Sequence, residues 1–248
     1  MAETIRSMAQ VREDFDRIAL IADAGWDHNR HYHPFLLGQL PARCQEALEV
    51  GCGTGAFARL LAQRAERVVA LDLSPEMVRV ARERSARCPN IAFEVADVTS
   101  RPLPADRFDV IASIATLHHL PFRAMLSGLS ASLTPGGTLI VLDLYDRSGP
   151  GDRLMDLAAV PTSCAWRLAR CGRLREPAEA RRIWAEHGRH DVYMKFEEIR
   201  RTANELLPGA VVRRHLFWRY SLVWRKPLRG QDPTPGRRLA SAACHPCP

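Results

Sequence analysis

Lysine is almost missing from this chain: of 35 basic residues only Lys195 and Lys226 are not arginine. Long apolar runs are missing too, since no stretch reaches 18 residues, so no membrane-spanning helix is expected. The charged N-terminal stretch MAETIRSMAQVREDFD has neither the apolar core nor the cleavage site of a secretory signal, and a cytoplasmic location is the expectation. Cysteine pairing lacks support as well. Seven scattered cysteines, an odd number, suit reduced thiols, and the close pair Cys244 and Cys247 has no second pair to complete a zinc site. No HExxH sequence occurs, and no carboxylate pattern accompanies His28, His31 and His33 or His187 and His190, so no metal is expected.

What is present fits a globular enzyme. At 248 residues, 46% apolar and 25% charged, the chain is long enough for one large or two small domains and shows neither a disordered nor a fibrous composition. A net charge of +7 ordinarily raises nucleic-acid binding, but the arginines are spread along the chain beside abundant alanine, and composition bias accounts for them without a binding face.

Residues 10–40 read as helical, with Phe15, Ile18, Ala19 and Ala22 at helical spacing and Pro34 separating two helices. From position 46 short apolar strands alternate with helices: EALEV; a helix over 57–64; RVVALDL; a helix over 75–84, capped by Ser74 with Pro75 at its first position; IAFEVAD; FDVIASIA; a helix over 123–132; a turn at LTPGG, 133–137; and GTLIVLDLY. That alternation predicts a parallel sheet covered on both faces. Residues 146–190, with Leu154, Met155, Leu157, Trp166, Leu168, Ile183 and Trp184, read as helical cover between strands. MKFEEIRRTANELL reads as a helix, VVRRHLFWRYSLVW as a closing hairpin, and 229–248 as a disordered tail.

LEVGCGTGAF, positions 48–57, sets Gly51, Gly53 and Gly55 at alternate positions behind a strand. No lysine follows, which removes a phosphate-cradling Walker loop, and G-x-G-x-G departs from the G-x-G-x-x-G of dinucleotide sites. Asp72 ends the next strand, where a carboxylate can accept two hydrogen bonds from a ribose diol, and Asp97 ends the third on the same crevice. Asp72 alone fits NAD or another adenosyl ligand.

The set EVGCGTG, Asp72, the AD at 96–97, FDVIASIATLHHL and LTPGGTLIVLDL resembles the class I S-adenosylmethionine-dependent methyltransferases, in particular the branch of ubiquinone and menaquinone biosynthesis, over residues 41–145. The resemblance implies an α/β, Rossmann-like seven-stranded sheet of order 3-2-1-4-5-7-6, its last strand antiparallel, with helices on both faces and a helical cap. It divides a single domain over 1–228 into an N-terminal helical lid (1–40), a cofactor-binding core (41–145), a helical substrate cover (146–190) and a last helix with hairpin (191–228). It implies S-adenosyl-L-methionine as cofactor. Glu49, Gly51 and Gly53, with Cys52 and Gly55 of the same loop, would flank its methionine part. Asp72 would take the ribose hydroxyls, Leu73 and Met77 the adenine face, Asp97 and Val98 the adenine edge, and Ser113 the carboxylate end. Trp26, His28 and Tyr32, with His31 and His33, would close over it.

Methyl transfer from a sulfonium is an in-line displacement, so the protein mainly aligns the nucleophile and removes a proton. His118 and His119, after the fourth strand, are the candidate catalytic residues. Neither an Asn/Asp-Pro-Pro-aromatic motif nor a Pro-Cys pair stands in SIATLHHL, which disfavours nucleobase methylation. The expected acceptor is a small molecule, aromatic or lipid-like, methylated on O, N or activated C. RNA or protein methylation and a non-catalytic cofactor-binding protein are the alternatives.

Overall fold

The computed structural model describes residues 7–21, 26–147, 150–173, 175, 177–189 and 191–230, without the side chains of 150–156. Three helices open the chain: α1 (Met8–Ile21), α2 (His28–His31) and α3 (His33–Gly38), with Pro34 in the first turn of α3. Then β1 (Cys44–Val50), α4 (Ala58–Leu61), β2 (Ala65–Asp72), α5 (Pro75–Arg84), β3 (Ile91–Val95), β4 (Phe108–Ile114), α6 (Phe122–Ser132) and β5 (Leu133–Leu144) alternate. The segment beyond holds α7 (Pro150–Cys171), α8 (Ala178–Gly188) and α9 (Phe196–Leu206), and β6 (Val211–His215) with β7 (Arg219–Arg225) forms the hairpin.

Among the described residues the strands form one seven-stranded sheet of order β3-β2-β1-β4-β5-β7-β6, parallel except for β7, which runs antiparallel to both neighbours. Both faces are apolar because side chains alternate along each strand. Ala47, Val110, Ala112, Ile140 and Leu142 point to one face, toward Leu36 and Leu61; Leu48, Ile111, Leu139 and Val141 point to the other, under α6 and α9. The strand ends therefore rest on a sheet buried from both sides.

Two sequence expectations need correction. Residues 133–137 are not a turn: α6 runs directly into β5, and only a shift of register marks the passage, Phe108 opposing Leu133 but Val110 opposing Thr138. The intervening residues bulge because Gly136 N donates to Lys226 O (2.9 Å) while Lys226 N donates to Gly137 O (2.8 Å), so the turn residues bond to the end of β7 instead of closing on themselves. The helix expected over 57–64 is the shorter α4; Arg64 O accepts from Cys44 N (3.0 Å), which turns the chain into β2. Of the expected tail, Arg229 and Gly230 form a turn, and 231–248, with Cys244 and Cys247, lie outside the described residues, as do Ala22 and His190.

Ser74 carries two elements at once. Its Oγ accepts from Met77 N (3.0 Å), capping α5, and donates to Asp16 Oδ1 of α1 (2.5 Å), while Ile18 and Ala19 of α1 pack on Met77. Ser74→Ala is expected to cost about 1–2 kcal/mol and to lower the melting temperature by roughly 3–6 °C in a thermal scan. An unchanged melting temperature would contradict this coupling.

Candidate active site

The glycine loop leaves β1 by donating Gly51 N and Cys52 N to Leu71 O of β2 (2.8 and 2.9 Å). Gly51 has φ +74°, and a Cβ there would stand 1.9 Å from Thr116 Oγ1, so the position admits only glycine, for its conformation and for the close pass of the chain leaving β4. Asp72, at the end of β2, binds across the crevice: Oδ2 accepts from Gly53 N (2.7 Å) and Oδ1 from Ser74 N (2.9 Å). Burial pushes this carboxyl up to about 6, against the pull of those backbone donors. Glu49, a strand-buried neighbour, is held well above the usual carboxylate range by burial and by Asp72, and its Oε2 has no hydrogen-bond partner.

A cavity of about 740 Å³ opens at these strand ends. Of the residues expected to hold cofactor, Gly51, Gly53, Asp72, Leu73, Met77, Asp97 and Val98 line it; so do Trp26 and His28 from the N-terminal segment and both candidate catalytic histidines. The others do not reach its wall, each for a packing reason; among them His31 packs on Trp166 and His33 on Phe57. Glu49 is buried, its carboxyl meeting the backbone of Ala58 at the start of α4, and Cys52 is buried with Sγ 3.7 Å from Gly53 O. Gly55 makes room for the Phe93 ring. Ser113 Oγ donates to Val50 O (3.1 Å), tying β4 to β1, and Tyr32 Oη donates to Leu216 O (2.5 Å). In the cover, Trp184 lines the cavity while Trp166 packs on the core beside His31. Asp97 Oδ1 already accepts from Thr99 N (2.8 Å) and Thr99 Oγ1 (2.6 Å).

Beyond β4 the chain bends sharply. Ala115 adopts φ +49°, an uncommon conformation for a residue with a Cβ, and Leu117–His119 follow as a single 3₁₀ turn anchored by the fully buried Leu117. The bend delivers His118 and His119 to the cavity. His118 Nδ1 lies 2.6 Å from Asp143 Oδ1 and its backbone N donates to Asp143 Oδ2 (3.0 Å). His119 Nδ1 stands 3.6 Å from Asp191 Oδ1, while Tyr193 Oη donates to Asp191 Oδ2 (3.1 Å) and His187 Nε2 lies 3.5 Å from it. Sequence reasoning missed Asp143, Asp191, Tyr193 and the cavity-lining Arg219. Only Asp143 carried a readable signal, a carboxylate closing an apolar strand; the others follow α8 or the hairpin turn with no periodicity to mark them.

The N-terminal segment is pinned from two sides. Asp27 caps α2, and the His28 ring stacks on Phe217 at the hairpin tip (centroids 5.0 Å) while its Nε2 meets Ser163 Oγ of α7 (2.8 Å). Burial, then Arg219 and Arg167, then His31, lowers His28 to about 3.

Comparison with known proteins agrees with this geometry. Residues 47–137 match the family model described as a methyltransferase domain. An uncharacterised methyltransferase of Mycobacterium tuberculosis is 34% identical over 207 residues, 83% of this chain and 100% of that protein. The chain belongs to the class I S-adenosylmethionine-dependent methyltransferases. The demethylmenaquinone methyltransferase of Tropheryma whipplei is 31% identical over 57% of this chain and 59% of its own length, a partial likeness. In fold, the methyltransferase resembles the N-methyltransferase NodS of Bradyrhizobium japonicum, solved with S-adenosyl-L-homocysteine, at TM-score 0.59 and 21% identity over 87% and 98% of the two chains. Its cofactor is S-adenosylmethionine, and no helix among the described residues is long and apolar enough to cross a membrane.

Burial of His28 has a consequence for acid stability. The unfolded chain takes up this proton near pH 6.5 and the folded enzyme only near 3, so stability is complete above 6.5 and falls as the pH drops below it. Between pH 7.5 and 5.0, denaturant unfolding of His28→Gln should lose about 2 kcal/mol less than wild type. Equal losses would contradict the assignment.

Proposed function

We propose that this methyltransferase acts on a small amphipathic acceptor, with an aromatic or lipid-like body and an acidic head, and that His118 and His119 hold its reacting atom. What carries the reading is the composition of one cavity: Phe15, Trp26 and Trp184 supply apolar wall, Arg173, Arg175 and Arg181 supply charge, and the two histidines stand at the β4 end.

The strand ends suit the cofactor. Gly51 and Gly53 present bare backbone, Asp72 keeps one further lone pair on each oxygen for a ribose hydroxyl, Leu73 and Met77 form an apolar wall for adenine, and Asp97 lies at its edge. When bound, S-adenosylmethionine supplies a methyl group already activated on a sulfonium. The remaining work falls to the chain: the N-terminal segment and α8 exclude water, and His118, oriented by Asp143, meets the acceptor's acidic hydrogen or its conjugate oxygen.

Methyl-labelled S-adenosylmethionine, incubated with the enzyme and a panel of aromatic and fatty carboxylic acids, phenols, neutral alcohols and amines, should deliver label to an extractable product of an acidic acceptor. His118→Ala should cut that turnover about a hundredfold while leaving S-adenosylhomocysteine affinity within about twofold. Label appearing only in neutral or cationic acceptors would sink the acidic-head assignment.

Asp72 makes cofactor binding pH-dependent. Its carboxyl takes a proton near pH 6, so affinity for S-adenosylhomocysteine is full above pH 7 and should fall by about tenfold by pH 5. Asp72→Asn should bind more weakly and show no such slope by calorimetry; a slope preserved in the variant would contradict the assignment.

A further inference from the structure

We infer that His118, His119 and Asp191 form a site for a divalent transition-metal ion of the zinc or ferrous type, placed at the acceptor end of the cavity. One potential ligand atom from each lies within 4.8 Å of the others, and all three residues line the cavity. Their side chains are nearly withdrawn from solvent, at 6, 7 and 3% exposure, so this is a built cluster and not a solvated surface group.

Three features fit a metal better than a hydrogen-bond network. The first is spacing. His119 Nδ1 stands 3.6 Å from Asp191 Oδ1, and His187 Nε2 stands 3.5 Å from Asp191 Oδ2. The first gap, between two of the three ligands, matches the edge of about 3.4 Å between ligands of a tetrahedral ion at bonds of about 2.1 Å, and His187 stands outside the set, beside the other oxygen of Asp191. The second is orientation by outer carboxylates. Asp143 Oδ1 holds His118 Nδ1 at 2.6 Å, which leaves Nε2 as the lone pair; Asp14 Oδ2 meets His187 Nδ1 at 3.1 Å and does the same there. Carboxylate–histidine pairs of this kind fix the tautomer of metal-bound imidazoles, and ligating carboxylates are themselves hydrogen-bonded, as Asp191 is by Tyr193. The third is donor chemistry. Two imidazoles with one carboxylate suit zinc, iron or cobalt, whereas magnesium and calcium demand oxygen ligands.

Three protein ligands leave coordination positions free, with His187 beside the opposite oxygen of Asp191. An oxygen of the acceptor could occupy such a position and lose its proton more readily there. The inference rests on the proposed placing of the acceptor at this end and sets the ion, in place of the His118 lone pair, against the acceptor's oxygen, but ion binding does not require a methyl acceptor and is measurable without one. No linear motif encodes the site, because Asp191 and His187 arrive from the far end of the cover segment.

The test is titration of the full-length, chelator-treated enzyme, carrying Cys244→Ser and Cys247→Ser to remove tail thiols, with Co²⁺, read by visible absorption. S-adenosylhomocysteine binding measured on each sample confirms an intact fold. Expected are one Co²⁺ per chain, with the absorption of a four- or five-coordinate ion, displacement by Zn²⁺ but not Mg²⁺, and at least tenfold weaker binding in His119→Gln and Asp191→Asn. Asp143→Asn should weaken it by about 10–100-fold through His118. Enzyme that binds S-adenosylhomocysteine but takes up no Co²⁺, or binds it equally well in His119→Gln and Asp191→Asn, would overturn the site. Methyl transfer by that same metal-free enzyme would leave the acceptor proposal standing.

Discussion

One buried carboxylate organises the crevice. Asp72 accepts from the glycine loop on one oxygen and from the start of α5 on the other, and it does so at the end of a strand packed on both faces. The two backbone donors do not fully offset the loss of water, which is why its carboxyl rises to about 6 instead of falling. Such a group is costly to bury, and a ligand that adds hydroxyl donors offsets that cost. The same few atoms reach α1: Ser74, beside Asp72, caps α5 and holds Asp16 of α1. Loop, α5 and α1 therefore form one hydrogen-bonded unit around the cavity.

The acceptor end is built differently. There the positioning elements are a strained bend at Ala115 and the segment after α8, and the side chains they bring together are histidines and carboxylates in near-dry surroundings. The hairpin contributes from a third direction. Its turn places Phe217 and Trp218 at φ +59° and +61°, conformations that glycine or asparagine ordinarily fills, and the strain is balanced by burying Phe217 completely beneath Trp26, His28 and Tyr32. Ala115 lines the cavity itself, whereas the hairpin turn backs it through His28, which does line it.

The sheet was legible in the sequence because short apolar runs such as EALEV, RVVALD and FDVIASI alternate with helical patterns, and because Ser74-Pro75 begins a helix by local chemistry alone. Elements decided by distant partners were not. TPGG reads as a turn until Lys226, at the end of β7, takes its backbone bonds, and the early end of α4 depends on Cys44. The crevice residues Asp72 and Asp97 could be read from their place at strand ends; Ser113 and Tyr32 occupy equally suggestive positions, but their hydroxyls are spent on Val50 O and Leu216 O. Asp191 and Tyr193 lie on an irregular segment whose course only tertiary packing sets, and Arg219 opens β7, where nothing in the strand pattern marks it for the cavity.

The most direct test is a crystal structure of the enzyme with S-adenosylhomocysteine. The account predicts both ribose hydroxyls within about 3 Å of the Asp72 carboxylate oxygens, with the homocysteine part running along Gly51 and Gly53 toward His118. A ligand bound away from the β1 and β2 ends, or with its ribose out of reach of Asp72, would contradict it.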